Sequence, residues 1–347
     1  MQVLVIGGSR FIGRAVVQRL LMEGHRVTLL NRGKSPDPFG TRVSRVIGDR
    51  GDAKTLQRAL GRREFDAVVD VIAFRQEETQ TAVEQLRGRI GHFIHVSTAS
   101  VYLIRDRLLG PFREEDFAGR LAPKTETGRS SWLYAYHKRR CEHALQLAWD
   151  TEQFPYTALR LPMVAGPDDY TERALAYLER LADGGALILP DGGLNSWGFL
   201  WVHDVAEAIA ANLMNANAFG RAYNLAQREL VSVRQFVETA ADCLGRPTRL
   251  VPVPTEWLQR LNLGTAFSPY THDHDIVLDT AAARRDLLFE PTPFGTWCDQ
   301  LVADFRTRWN GKPSRLYATR AMELRLVQEL AQLRIPAVSP ASVSASR

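Results

Sequence analysis

The sequence has few cysteines, no long apolar run and no dense block of basic residues. Its three cysteines lie far apart, without the paired spacing of a zinc site or a disulfide framework. No apolar stretch reaches the length of a membrane-spanning helix. The first residues predict a strand rather than a signal peptide. We therefore expect a protein of a reducing, cytoplasmic compartment, with no membrane segment and no metal site.

The charged residues argue against nucleic-acid binding. The net charge is only +5 over 347 residues, and the lysines and arginines do not alternate with aromatic residues as they do in many nucleic-acid-binding proteins. Nucleic-acid binding is therefore not favoured. A chain of this length can bury one large core or two ordinary ones, so the remaining expectation is a globular protein with a small-molecule partner.

The first thirteen residues have the pattern of a buried strand, a glycine turn and a helix. Residues 3–6 form an apolar, β-rich run that is typical of a central parallel strand. Gly7 and Gly8 allow a sharp turn and the close approach of a ligand, and Gly13 allows the next helix to pack tightly. The free amide groups at the start of that helix suit a pyrophosphate. The residues predicted to bind a dinucleotide here are Gly7, Gly8, Ser9, Arg10, Phe11, Ile12 and Gly13.

The end of the second predicted strand, residues 26–30, indicates which dinucleotide to expect. NAD is usually held there by a carboxylate, whereas the 2′-phosphate of NADP requires cationic groups. This chain has Asn31 and Arg32 at that point, with Arg10 as a second cation in the glycine turn. The pattern favours NADP over NAD. The alternative interpretation is that the two arginines are only solvated surface residues.

Strands and helices alternate over the first half of the chain, which predicts an α/β fold with a Rossmann-type doubly wound parallel sheet. Further strands are predicted at 43–47, 67–71, 93–96 and 156–159, and helices at 53–60 and 78–86. Asp49 and Arg50 follow the third strand at the carboxyl edge of the sheet, where an adenine ring would lie. Asp49 could equally be a turn residue or a helix cap.

The alternation breaks near Pro162, which predicts a smaller, discontinuous C-terminal substrate domain. We expect the NAD(P)-binding domain to comprise residues 1–163 and 198–228, and the substrate domain residues 164–197 and 229–310. A terminal helix is predicted at 311–334. The last stretch, 335–347, is rich in Ser, Ala and Pro and is predicted to be disordered.

Two stretches suggest an enzyme. In SWLYAYHK, Tyr134 and Lys138 are four residues apart and therefore share one face of a helix. A tyrosine ionises near pH ~10 and needs a nearby cation to exchange protons at neutral pH, which Lys138 can supply. In HVSTASVY, the hydroxyls of Ser97, Thr98 and Ser100 lie at the carboxyl edge of the sheet, where one of them can bond to a carbonyl or alcohol.

Together these motifs resemble the short-chain dehydrogenase/reductase superfamily, in its extended, epimerase/dehydratase-like branch. The resemblance spans residues 1–310 and also rests on segments 160–169, 201–208, 223–226 and 279–294. It implies that Tyr134 is the catalytic acid/base, that Lys138 lowers its pKa and binds the nicotinamide ribose, and that Thr98 polarises the substrate. It further implies that Pro162 contacts the cofactor and that the protein forms a homodimer through the helix that carries Tyr134.

Three functions remain open. Dehydratases of the branch carry an acidic pair after the hydroxyl residue, where this chain has Ala99 and Ser100, so dehydration is not expected. We expect an NADP(H)-dependent oxidoreductase that reduces a ketone, or epimerises a carbinol centre, on a sugar-like or secondary-metabolite substrate. One alternative is an NAD-dependent nucleotide-sugar epimerase. The other is a non-catalytic, nucleotide-sensing or RNA-binding protein, because GGSRFIG also resembles the turn of the chloroplast stem-loop-binding proteins.

Overall fold

A computed structural model describes residues 1–36, 38–125, 128–264, 266–272 and 275–332. The strands are β1 (Gln2–Ile6), β2 (Arg26–Asn31), β3 (Ser44–Ile47), β4 (Phe65–Asp70), β5 (Ile90–Thr98), β6 (Tyr156–Leu161), β7 (Val164–Ala165), β8 (Leu187–Pro190), β9 (Ser196–Trp197), β10 (Leu200–Trp201), β11 (Arg221–Asn224), β12 (Val231–Ser232) and β13 (Leu250–Val253). The helices are α1 (Phe11–Met22), α2 (Ala53–Leu60), α3 (Gln76–Leu86), α4 (Ser100–Leu103), α5 (Arg129–Glu152), α6 (Arg173–Ala182), α7 (Val202–Ala211), α8 (Val233–Leu244), α9 (Thr255–Arg260), α10 (Ala281–Asp286), α11 (Phe294–Arg308) and α12 (Arg320–Gln332).

The main sheet has seven strands in the order β11-β6-β5-β4-β1-β2-β3, and every neighbouring pair is parallel. The chain builds outward from β1 to β3 and then returns to place β4 on the other side of β1. This reversal is the switch point at which open α/β sheets bind ligands, just beyond the carboxyl ends of the strands. The predicted Rossmann-type doubly wound fold is confirmed.

The central strand β1 is buried on both faces because helices cover both sides of the sheet. Val3 and Val5 belong to the apolar core that includes α1 and α7. Leu4 and Ile6 belong to the core on the opposite face, which includes α2, α3 and α5. Alternate strand residues point to opposite faces, so an uninterrupted apolar run is what this position requires. Each fully buried Val, Leu or Ile contributes about 1.5–3 kcal/mol relative to an exposed one.

The chain forms two compact units. The first comprises residues 1–170, 198–228 and 276–292, and the second comprises 171–197, 229–275 and the described residues from 293 onward. The predicted boundaries differ at 164–170 and 276–292, which the sequence assigned to the second domain. The second of these segments is tied to the first unit by backbone hydrogen bonds, from Gly198 N to Ile276 O (3.1 Å) and from Phe112 N to Val277 O (2.8 Å). Its apolar residues Ala283, Leu287 and Phe289 lie in the core of the first unit.

The second unit has its own small core, formed around β8, α9 and α12. Buried residues of this core include Ile188, Leu258, Phe267 and Val327, and β8 pairs with β13 in parallel. The described part of the predicted terminal helix contains α12, while the predicted tail at 335–347 lies outside the described residues. Within the described ranges, no helix is both long and apolar enough to cross a bilayer.

Candidate functional site

A pocket of about 540 Å³ lies at the carboxyl ends of β1, β2, β3 and β4, entirely within the first unit. It is the crevice that the strand order predicts for a nucleotide. The predicted cofactor residues that line it are Gly7, Ser9, Arg10, Phe11, Ile12, Gly13, Asn31, Arg32, Asp49 and Arg50. Gly8, Lys138 and Pro162 do not line this pocket, and their predicted contact with a cofactor stays a prediction.

The glycine turn has the geometry of an anion cradle. Gly7 adopts a φ of 95°, and a Cβ at Gly13 would collide with the Gly7 carbonyl oxygen. A Cβ at Gly8 would lie 2.7 Å from the side chain of Leu29, so Gly8 serves the packing of the turn against β2. α1 begins after Arg10, whose side chain makes no capping hydrogen bond. The amides of its first turn therefore have no partner within the helix and are available to a phosphate.

The wall of the pocket at the end of β2 is basic. Asn31 is fixed by two hydrogen bonds, in which its Oδ1 accepts from Gly33 N (2.9 Å) and its Nδ2 donates to Ser9 Oγ (3.2 Å). Arg10 donates to Ser35 Oγ (2.9 Å), and both Arg32 and Lys34 line the same wall. Three cations thus lie where an NAD-specific enzyme usually has a carboxylate.

The two predicted residues after β3 have different local roles. Asp49 Oδ1 accepts from Gly51 N (2.9 Å), so Asp49 is a turn residue that also lines the pocket, and the cap of α2 is Asp52 instead. The guanidinium of Arg50 donates to the buried carboxylate of Asp70. That carboxylate also accepts from the backbone amides of the loop after β4, at distances of 3.1–3.2 Å. Arg50 therefore orders one wall of the pocket.

Tyr134 and Lys138 both lie on α5, in different environments. The side chain of Tyr134 is 41% exposed and stacks on Phe74, with 5.8 Å between the ring centroids. Lys138 is only 5% exposed. Its Nζ donates to Ala73 O (2.9 Å) and Val96 O (2.8 Å). Burial lowers the pKa of Lys138, although the Cys141, Asp70 and Glu142 side chains oppose this effect.

Thr98 is the last residue of β5, and its neighbour Ser97 attaches α5 to that strand. Its Oγ1 accepts from Ser100 N and donates to Ser100 Oγ, both at 3.2 Å. The neighbouring Ser97 donates instead to Glu142, which is buried one helical turn beyond Lys138. Glu142 in turn pairs with Arg160 of β6 (2.7 Å). Ser97 is therefore part of the buried framework, and Thr98 is the hydroxyl at the strand end.

Several pocket residues were not selected from the sequence. Lys34 and Ser35 could have been selected from the sequence, since they lie two and three residues after Arg32. For Ile72 and Glu78 the sequence contains only a weak indication, namely that they follow β4 on the other side of the switch point. Nothing in the sequence indicated Tyr170, because it comes after β7 and reaches the pocket only through the tertiary fold.

Comparison with known proteins identifies the family of this chain. A model of the NAD-dependent epimerase/dehydratase family matches residues 3–226. The chain is 30% identical to 2′-dehydrokanamycin reductase of Streptomyces kanamyceticus over 285 residues, covering 80% of this chain and 77% of that protein. It is 28% identical to the chloroplast stem-loop binding protein of 41 kDa b of Arabidopsis thaliana over 259 residues. That match covers 71% of this chain but only 64% of the relative.

Solved structures show the same fold. The dTDP-glucose 4,6-dehydratase of Bacillus anthracis, solved in complex with NAD, superposes with a TM-score of 0.71 at 21% identity, covering 89% of this chain and 97% of that one. Fold, pocket and family match together define a Rossmann-type nucleotide-binding oxidoreductase. The chain belongs to the NAD-dependent epimerase/dehydratase family and is an NAD(P)-dependent enzyme of that family.

Proposed function

We propose that the protein is an NADP(H)-dependent reductase that acts on a ketone, or epimerises a carbinol centre, of a sugar-like or secondary-metabolite substrate. The observation that carries the cofactor choice is the basic wall of the pocket. Arg10, Arg32 and Lys34 line it where β2 ends in Asn31 rather than in a carboxylate. The similarity to 2′-dehydrokanamycin reductase supports ketone reduction on an aminosugar-like substrate. A cytoplasmic location and a homodimer stay predictions.

The residues present fit such a cofactor, since the uncapped helix, the glycine turn and the cations converge on one pocket. When bound, the nicotinamide supplies or accepts the hydride. In the proposed mechanism Tyr134 Oη gives the proton to the substrate oxygen, or takes it in the reverse direction, and Thr98 Oγ1 donates a hydrogen bond to that oxygen. The Lys138 ammonium, held against β5, stabilises the phenolate form of Tyr134 and so eases the proton transfer.

The first test is titration of the purified protein with NADPH and with NADH, for the wild type and for Arg10→Ala combined with Arg32→Ala. We expect the wild type to prefer NADPH. The double variant should lose at least about 100-fold in NADPH affinity, because each of the two arginines contributes about 1.5–3 kcal/mol through a charged hydrogen bond. Affinity for NADH should stay the same.

Arg26→Ala is the matched control, because Arg26 is exposed at the opposite end of β2. It should leave both affinities unchanged. Tightly co-purified NAD, with no preference for NADPH, would overturn the NADP assignment in favour of an NAD-dependent nucleotide-sugar epimerase. Once the cofactor is known, 2′-dehydrokanamycin is the first ketone to assay.

RNA binding is a second candidate, favoured by the similarity to the chloroplast stem-loop binding protein. Its test is fluorescence anisotropy with a stem-loop RNA over a range of salt concentrations, since contacts with phosphates weaken steeply as salt rises. Binding that depends strongly on salt, together with no turnover of any ketone, would favour this candidate over the reductase.

A further inference from the structure

The ammonium of Lys138 has a complete set of hydrogen-bond acceptors inside the protein. Besides the backbone carbonyls of Ala73 and Val96, it contacts Nε2 of His95 at 3.3 Å. A lysine ammonium has three protons, so these three acceptors account for all of them, and the predicted contact of Lys138 with the nicotinamide ribose would require one of these bonds to be exchanged. Two of the acceptors are backbone atoms that any sequence would supply. His95 is the one that depends on a side chain.

His95 is held in the neutral state that this contact requires. It lies on β5, three residues before Thr98, and is fully buried. Burial, and secondly the positive charges of Lys138 and Arg50, keep the pKa of His95 well below its usual value. A neutral imidazole that accepts at Nε2 carries its proton on Nδ1. That Nδ1 has no hydrogen-bond partner among the described residues, so the contact with Lys138 is what orients the ring.

We propose that His95 is a positioning residue, whose Nε2 fixes the Lys138 ammonium at the point from which it acts on Tyr134. This inference rests on the proposed function. An apolar side chain at position 95 would leave one proton of a buried ammonium without an acceptor, which disfavours the charged form. Lys138 would then lose its proton at lower pH, and the stabilisation of the Tyr134 phenolate would weaken.

The other charged and titratable groups around Lys138 come from three elements and stay the same in a His95 variant. Asp70 lies at the end of β4 and Arg50 follows β3, while Cys141 and Glu142 are on α5 itself. Arg50 lowers the pKa of Lys138 and the other three raise it. A shift caused by substitution at position 95 can therefore be assigned to the lost acceptor.

The test compares His95→Phe and His95→Asn with His95→Gln. The Oε1 of glutamine reaches the place of Nε2, whereas the side chain of asparagine is too short. The readout is the titration of Lys138 by NMR, with lysine labelled with ¹³C at Cε. The chain has five lysines, and Lys138→Met identifies the signal. We expect Lys138 to titrate about one pH unit lower in the Phe and Asn variants, a tenfold change for one lost hydrogen bond, and near the wild-type value in the Gln variant.

His92 provides the matched control on the same strand. It is also fully buried, but its ring contacts Thr157 Oγ1 (2.9 Å) and Met214 N (3.1 Å). His92→Gln should lower the stability of the fold without changing the titration of Lys138. If Lys138 titrates alike in all His95 variants, or shifts equally in His92→Gln, the inference is wrong.

Kinetics separate this inference from the proposed function. In an active enzyme, the limb of the pH–rate profile that depends on Tyr134 should move to higher pH in the Phe and Asn variants and return in the Gln variant. Normal wild-type turnover with unshifted profiles in every variant would overturn the role of His95 alone. A shift of Lys138 in the NMR titration, without turnover of any ketone by the wild type, would support the contact and overturn the reductase function.

Discussion

Each of the two units contains a buried arginine–glutamate pair, and the two pairs differ in what surrounds them. In the first unit, Arg160 pairs with Glu142 at 2.7 Å. In the second unit, Arg180 pairs with Glu323 at 2.9 Å, and both side chains are fully buried. Both pairs are therefore costly to form and costly to break, because the charges are removed from water.

The difference lies in their neighbours. Glu142 is one turn from Lys138 and accepts from Ser97, which precedes Thr98 at the carboxyl edge of the sheet. Glu323 accepts from Arg320 and from the backbone of Ile188, and so fastens α12 to β8 and α6. Burial of a charged pair does not by itself mark a functional site. We propose that its place relative to the carboxyl edge of the sheet does, because open α/β sheets bind ligands there.

Of the substitutions considered in the two units, Tyr134→Phe in the first unit should have the largest effect. It tests whether the helix that carries Glu142 also carries the catalytic acid/base. We expect kcat to fall by about 10²–10⁴-fold, the usual contribution of a positioned acid/base. Cofactor affinity should persist, because Tyr134 does not line the nucleotide pocket. Stability should change by less than about 0.5 kcal/mol, because the side chain is partly exposed. The measurement is steady-state kinetics together with NADPH titration and thermal unfolding.

Tyr136→Phe is the control for this substitution. Tyr136 lies two residues further along α5 and stacks on Trp132, with 5.0 Å between the ring centroids. Its hydroxyl has no assigned role in the reaction, so kcat should be retained. Equal losses in both variants would mean that the tyrosines only support the helix.

Glu323→Gln tests the pair in the second unit. Removing one partner of a buried pair costs about 3–5 kcal/mol, here because Arg180 and Arg320 would keep their charges without the carboxylate. Hydrogen exchange measured by mass spectrometry should show faster exchange in α6 and α12. NADPH affinity should stay near the wild-type value, because every residue that lines the nucleotide pocket belongs to the first unit. Glu329→Gln, at an exposed position on the same helix, should change none of these readouts.

Glu142→Gln completes the comparison. We expect a loss of stability of similar size, about 3 kcal/mol, with faster exchange in α5 and β6. Unlike the Glu323 substitution, it should also lower kcat, because α5 carries both Tyr134 and Lys138. Unchanged kcat in this variant would show that the first pair is as purely structural as the second.

Most of the lining of the pocket at the carboxyl ends of β1 to β4 was selected from the sequence, because its determinants are local. The strand, turn and helix of residues 2–22 are contiguous, and their apolar and glycine pattern reflects the turn that Gly7 and Gly13 form. The spacing of Tyr134 and Lys138 likewise placed both on one helix. It could not show that one would be exposed and the other buried with its ammonium fully bonded, because that depends on β5 and on the loop after β4.

Determinants that are distant in the sequence could not be predicted. Arg180 and Glu323 are separated by 143 residues, and no local pattern links them. The return of residues 276–292 to the first unit depends on backbone hydrogen bonds with segments far away in the chain. Tyr170 reaches the pocket for the same reason. Such contacts follow from the packing of whole elements, which periodicity in one segment does not encode.

The smallest expected effect concerns Asp183, which pairs with Arg320 beside the Arg180–Glu323 pair of the second unit. Burial alone would raise its pKa, but hydrogen bonds from Arg320 and Tyr317 outweigh this and hold the pKa below its ordinary value of 3.8. A carboxylate with a lowered pKa stabilises the folded state above its ordinary pKa, and this contribution is lost as the pH falls through the lower, folded value. The side chain is 25% exposed, so the effect should be smaller than that of Glu323→Gln.

Asp183→Asn should therefore lower the thermal midpoint at neutral pH and flatten its decline as the pH falls below about 4, because one carboxylate no longer takes up a proton on unfolding. The measurement is thermal unfolding across that range. Asp242→Asn, at an exposed position of the same unit, should keep the wild-type slope. Equal slopes in wild type and Asp183→Asn would show that the carboxylate of Asp183 does not contribute to the acid sensitivity of the fold.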